Sequence, residues 1–180
     1  MGAAAPITST LICGASFLTS PLVISGMTQP ARIPHETRPR AYAGIELLLD
    51  LMHILREATG LDHESIVIAC AVNAAAMRPL LVGPNAPLHL MDVAEPPDEF
   101  RGSISRLAVA EQTGLSRETV RRKINQLIEA GMLVEDAHGH VRPIRALIDP
   151  QWQKVADDGY GAVQRFDRRL RSLGCKGVGD

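Results

Sequence analysis

The chain has 180 residues, enough for one ordinary domain or for a small domain with an added dimerisation region. With 46% apolar residues, only 3% aromatics and a mean hydropathy of +0.03, the composition excludes global disorder and asks for a core of Leu, Ile, Val, Ala and Met, which suits helices better than a β-sandwich. The net charge of −1 hides an asymmetry: residues 36–100 carry four arginines against ten acids, whereas residues 101–145 carry eight bases against five acids. A basic segment joined to an acidic one suits a phosphate-facing module on a protein-facing one. Cys13, Cys70 and Cys175 are odd in number and far apart, so neither a disulfide framework nor a zinc site is expected, and a reducing cytoplasm is the expected location.

Met1–Pro30 is rich in Ala, Ser, Thr and Gly and contains no charged residue. A secretory signal needs a basic start, and a membrane span needs about 20 mostly apolar residues. Here the first base is Arg32, and Gly14, Ser16, Ser20, Pro21 and Gly26 interrupt the run. The preferred reading is a disordered leader, an upstream extension of the reading frame with Met27 as the working start; a short polar linker with Pro34 and Pro39 follows over Ala31–Arg40, and the boundary of leader and linker is set at residues 1–38. Residues 39–100 read as a helical dimerisation or regulatory region. Ile45, Leu48, Leu49, Met52 and Leu55 place a helix over Tyr42–Thr59, stopped by Gly60. Asp62 caps a second helix reaching about Met77, with Pro79 just beyond, and its apolar circumference predicts burial, with Cys70 packed in the core. A long connection follows from about Gly83 to Gly102, with a short extended piece at Leu88–Val93 and a solvated acidic stretch at Asp92, Glu95, Asp98 and Glu99. At the other end of the chain, residues 147–180 offer a last helix from Pro150 to Leu173 and a polar tail. Trp152, Val155, Val163, Phe166 and Leu170 are its apolar positions, Gly159 and Gly161 weaken its middle, and Cys175 in the tail has no clear activating neighbour.

Residues 101–146 carry the functional signal. Leu107–Thr113 is a short apolar helix, and Gly114 permits the positive φ of a tight turn. Ala110 is small enough for two helices to cross closely. Ser116 is a good N-cap, Leu115 and Val120 have the spacing of a hydrophobic staple, and Gly131 is placed to end the helix. Val120, Ile124, Leu127 and Ile128 form one buried stripe. The opposite face presents Glu118, Arg122, Asn125, Gln126 and Glu129, with Arg117 and Thr119 in the exposed first turn. Such groups suit the major groove: Arg pairs with guanine, Glu accepts from cytosine, and Asn or Gln pairs with adenine. Ser116 and the helix start can hold a phosphate, and Arg121 and Lys123 lie nearer the flanks, toward the backbone. Two short β-prone runs, Met132–Asp136 and His140–Pro143, flank Ala137-His138-Gly139 and read as a hairpin wing, where His138, His140 and Arg142 are placed to touch DNA.

Leu107–Ile144 resembles the winged helix of bacterial transcription factors of the Crp/FNR, GntR and MarR groups, and Ser116-Arg117-Glu118-Thr119-Val120-Arg121-Arg122 is similar to the Crp recognition helix. That resemblance implies base reading by Arg117, Glu118 and Arg122 and phosphate contact by Ser116 and Thr119. No cyclic-nucleotide β-roll precedes the motif, and the flanking helices look closer to the MarR plan, in which they form the dimer. The expected fold is therefore mainly α: a winged helix-turn-helix with a small β-hairpin wing and flanking helices for dimerisation. The expected function is a cytoplasmic transcriptional regulator that binds double-stranded DNA at a palindromic operator as a homodimer. The base readers are Arg117, Glu118, Arg122 and Asn125; the phosphate and wing contacts are Ser116, Thr119, Arg121, Lys123, His138 and Arg142. The competing reading is a protein-interaction module or accessory subunit. No catalytic motif, cofactor fingerprint, metal set or membrane role is expected; His138 and His140 read as solvated loop residues, since no third ligand completes a site. A small-molecule effector fits between the helices flanking the module, but no residue set marks its pocket.

Overall fold

The computed structural model describes residues 32–83, 86–93, 95–144 and 147–177. The leader through residue 31 and its Met27 start lie outside the described residues, as do Arg145 and the last three positions. The elements all fall in the compact unit Pro34–Asp180. In chain order they are α1 (Thr37–Thr59), α2 (His63–Leu81), β1 (Ile104–Ser105), α3 (Arg106–Thr113), α4 (Arg117–Glu129), β2 (Leu133–Glu135), β3 (His140–Pro143) and α5 (Pro150–Ser172). The architecture is mainly helical with one small antiparallel sheet, as a winged helix-turn-helix requires.

Helix α1 begins earlier than its apolar periodicity suggests. Thr37, Arg38 and Pro39 form its first turn, where a missing proline N–H costs no intrahelical bond. Arg38 and Arg40 are therefore helical, and Arg40 pairs with Glu36 one turn back. Gly60 ends the helix at φ 66, its N–H bonded to Arg56 O at 2.8 Å. Helix α2 starts where expected: Asp62 accepts from Ser65 N at 3.1 Å. It continues past the expected stop, so Pro79 lies inside its last turn. A proline there leaves the carbonyl of Ala75 without its usual donor. The chain returns across this spot at Gly102, whose N–H donates to Ala76 O at 3.1 Å. A Cβ at residue 102 would stand 2.2 Å from Ala75 O, so only glycine allows the approach.

The core is built from five elements. Ile68, Ala71 and Val72 of α2 meet Val109 and Ala110 of α3, Val120, Ile124 and Leu127 of α4, Leu133 of β2 and Val141 of β3, with Leu61, Ile104, Leu115, Ile128 and Met132 around them. Helix α2 thus belongs to the winged-helix core. By length and composition α2 could cross a membrane, but it is the packed first helix of this module. Cys70 is a correction: it lies on the exposed side of α2, where partial burial pushes its thiol pKa up. The sheet has order β1-β3-β2, with Ile104 opposite Val141 and Leu133 opposite Pro143. Strand β1, two residues long, is too short to carry a period-2 signal. The expected extended piece at Leu88–Val93 is also corrected, because Leu88–Leu90 forms a 3-10 turn.

Helices α1 and α5 pack antiparallel. Arg165 Nε lies 3.1 Å from Asp50, Arg169 Nη2 3.3 Å from Glu46, and the Arg169 guanidinium stacks over Tyr42 at 5.8 Å. Gly159, which weakens α5 by propensity, faces Leu51 of α1, where a Cβ would stand 3.8 Å away, an ordinary contact. Cys175, expected in a polar tail, is buried with Ala43 and Leu170.

Candidate nucleic-acid interface

The helix-turn-helix is locked by its own short polar residues. Ser105 Oγ accepts from Ala108 N at 3.1 Å and starts α3, which Gly114 ends at φ 70. Two residues later Ser116 caps α4: its Oγ accepts from Thr119 N at 3.1 Å and donates to Thr119 Oγ1 at 2.9 Å. The two hydroxyls assigned to phosphate contact are therefore already joined as the cap. Val120 and Ile124 have no exposed surface and Leu127 is 1% exposed, so the buried stripe fixes the rotation of α4. A Schellman motif closes the helix: Met132 N donates to Leu127 O and Gly131 N to Ile128 O, both at 2.9 Å, with Gly131 at φ 70.

Rotation fixed in this way turns Arg117, Glu118, Arg121, Arg122, Gln126 and Glu129 to solvent. Arg117 has no ion pair or hydrogen bond among the described residues. Glu118 and Arg121 grip one another through Nε at 2.9 Å and Nη2 at 2.7 Å. The guanidinium holds the Glu118 carboxyl below the usual carboxylate range, and the carboxylate raises Arg121. Arg122 remains half exposed, with Glu64 of α2 at 3.7 Å. Asn125 is partly covered, and its Oδ1 accepts from Arg106 Nη1 at 2.8 Å. Pairing with adenine needs that same oxygen as an acceptor, so Asn125 chiefly offers its amide donors.

Lys123 does not reach the flank expected of it. It is 8% exposed, and its ammonium lies 2.5 Å from Asp62 and 3.8 Å from Glu64. The helical angle that points it toward the α3 and α2 side also buries it, so its phosphate role is corrected to a tie between α4 and α2. The partnership draws the Asp62 pKa from 3.8 down to about 2, first through the Lys123 hydrogen bond and then through the Ser65 N–H.

The wing is short. Asp136 N donates to His140 O at 2.8 Å, Gly139 turns the chain at φ 76, and Asp136 Oδ1 accepts from the N–H groups of His138 and His140 at 2.9 Å each. Those donors lower the Asp136 carboxyl, His140 first. His138 is exposed at the tip and His140 is partly covered. Arg142 lies back in β3, where Asp98 holds it at 2.6 Å. Asp98, read as part of a solvated acidic loop, is thus a specific partner of the wing.

Sequence reasoning also missed two braces. Arg106 spans Asn125 of α4 and, at 2.7 Å, Glu135 of β2. Arg101 Nη2 donates to Pro143 O at 3.1 Å and Ile144 O at 3.3 Å. These contacts join residues 19 to 43 positions apart, beyond any periodic or capping signal.

Residues 101–134 match the family model described as winged helix-turn-helix DNA-binding. The match covers β1, α3, α4 and the start of β2; the fold completes the module with α2 before it and β3 after it. No curated protein and no solved structure matches the chain.

Proposed function

We propose that this protein is a non-enzymatic, cytoplasmic transcriptional regulator that binds a palindromic operator as a homodimer. The carrying observation is α4 itself: a helix clamped by a buried stripe, with Arg117, Glu118, Arg121 and Arg122 turned outward and a wing beside it. Arg117 and Arg122 are the strongest candidates for reading guanine, Glu118 for cytosine, and Asn125 contributes amide donors. Arg121, the Ser116–Thr119 cap, His138 and Arg142 serve the backbone and the wing contacts.

The homodimer reading rests on α1. Ile45, Leu48 and Leu49 of α1 are 59–60% exposed, and Tyr42, whose ring meets Arg169 of α5, keeps 52% of its surface exposed beside them. An apolar stripe of that kind on a soluble helix calls for a partner surface, and an isologous contact between two copies supplies it. Two recognition helices would then enter major grooves about 34 Å apart. Selection of bound sequences from a random DNA pool tests the reading: a two-fold-symmetric consensus is expected, and Arg122→Ala should weaken its binding by about 1–3 kcal/mol.

One observation favours a second reading, a protein-interaction module. Five of the bases on or beside α4 and the wing already have acid partners: Arg106, Arg121, Arg122, Lys123 and Arg142. Under that reading the selection returns no consensus, and a pull-down returns one stoichiometric protein.

A further inference from the structure

The chain between α2 and β1 is long for a link inside one module, and its described residues from Leu90 to Gly102 border the C-terminal half of α2. Together with the end of β3 and the start of α5 it encloses a cavity of about 670 Å³, a size suited to drug-like ligands. Met77, Leu80, Leu90, Leu147 and Ile148 supply its apolar wall. Among the described residues the charged lining is one-sided. Asp92, Glu95 and Asp157 face the cavity, and none of them has an ion-pair partner among the described residues. The one described base in the lining, Arg101, is committed: it serves the carbonyls of Pro143 and Ile144 and lies 3.5 Å from Asp98. The cavity shares Asn73, Met77, Leu147 and Ala156 with an apolar recess of about 160 Å³ that is lined by Trp152.

We propose that this cavity binds lipophilic organic cations, with the apolar wall taking the hydrocarbon body and the three free carboxylates supplying the counter-charge. An organic anion meets the same wall but three like charges. The cavity is also wired to the wing. Its wall at residues 90–93 and at Glu95 and Pro96 precedes the turn bearing Asp98, which holds Arg142, and Arg101 of the lining holds the end of β3. An occupant that displaces this segment changes the wing, so the cation acts as an effector. That coupling rests on the DNA-binding reading, whereas occupancy of the cavity does not.

Trp152 is the only tryptophan in the chain; it lines the recess that adjoins the cavity, so its emission reports an occupant that reaches the wall the two share. The test titrates the full chain with tetraphenylphosphonium and, separately, with tetraphenylborate, which has the same shape and the opposite charge. Tetraphenylphosphonium is expected to change Trp152 emission saturably, and tetraphenylborate to bind more weakly. In the exposed triple variant Asp92→Asn, Glu95→Gln and Asp157→Asn, cation affinity should fall about tenfold, as the loss of three partly solvated charge contacts implies. Equal or tighter binding of tetraphenylborate, or an unchanged cation affinity in the triple variant, overturns the charge-selective site. No saturable response to either ion overturns the cavity as a ligand site. Saturable cation binding that leaves the affinity for a selected operator unchanged overturns the coupling alone.

Discussion

Two glycines of the winged helix are needed for different reasons. Gly114 sits at φ 70 with open space where a Cβ would go, so Gly114→Ala meets only the backbone penalty of the left-handed region, about 1–2 kcal/mol. Gly102 has the reverse problem: its substituent would press on the backbone of α2 at 2.2 Å. Backbone cannot swing aside as a side chain can, so Gly102→Ala should cost more, about 3 kcal/mol. Urea unfolding of the two variants checks the ranking. Asp62 gives a pH signature. Its pKa is lowered to about 2 from 3.8, so its contribution to stability is fully present above about pH 4 and is lost as pH falls through about 2. Asp62→Asn keeps a capping side chain but removes the charge, and the gap in urea midpoint between wild type and variant should close as pH falls from 5 to 2 on this argument. Local residues such as Gly114, Ser116 and Asp62 were legible in the sequence because turns and caps are decided within a few positions. Lys123 was not: its burial depends on where Asp62, 61 residues away, is placed by tertiary packing.

At the scale of elements, the helix-turn-helix follows from the sequence because apolar spacing, cap and stop agree on α4. The two flanks of that helix are less predictable. The 3.6-residue pattern of α2 is nearly apolar all round and shows burial without showing the partner; the partner proves to be α3, α4 and β3. Strand β1 exists only because β3 offers it an edge. The acidic connection looked solvated since nothing local distinguishes Asp98 from its neighbours, yet Asp98 engages the wing. Asp98 is held below the usual carboxylate range, by Arg142 first, and stays charged well into mild acid. Asp98→Asn should release the Arg142 guanidinium toward DNA, raising affinity at low salt and steepening the slope of log K against log salt by about 0.9. Fluorescence anisotropy across a salt series measures it; an unchanged slope would mean that Arg142 does not meet phosphate.

For the whole molecule, the open question is what α1 faces. Its α5 side is satisfied by ion pairs and by Ala43, while its other side leaves Leu48 and Leu49 about 60% exposed. Light scattering should give twice the chain mass of 19.4 kDa, and Leu48→Glu with Leu49→Glu should return the monomer with the winged helix still folded. Helical periodicity placed these leucines on one face, but it could not show whether that face turns inward or toward a second copy.

Operator selection followed by affinity measurement with Arg122→Ala decides whether the solvent face of α4 reads DNA sequence. The expected result is a symmetric consensus bound by wild type, with the variant weaker by about 1–3 kcal/mol and less selective at one position of each half-site. Binding without sequence preference, or a variant that holds the selected operator as tightly as wild type, would contradict it.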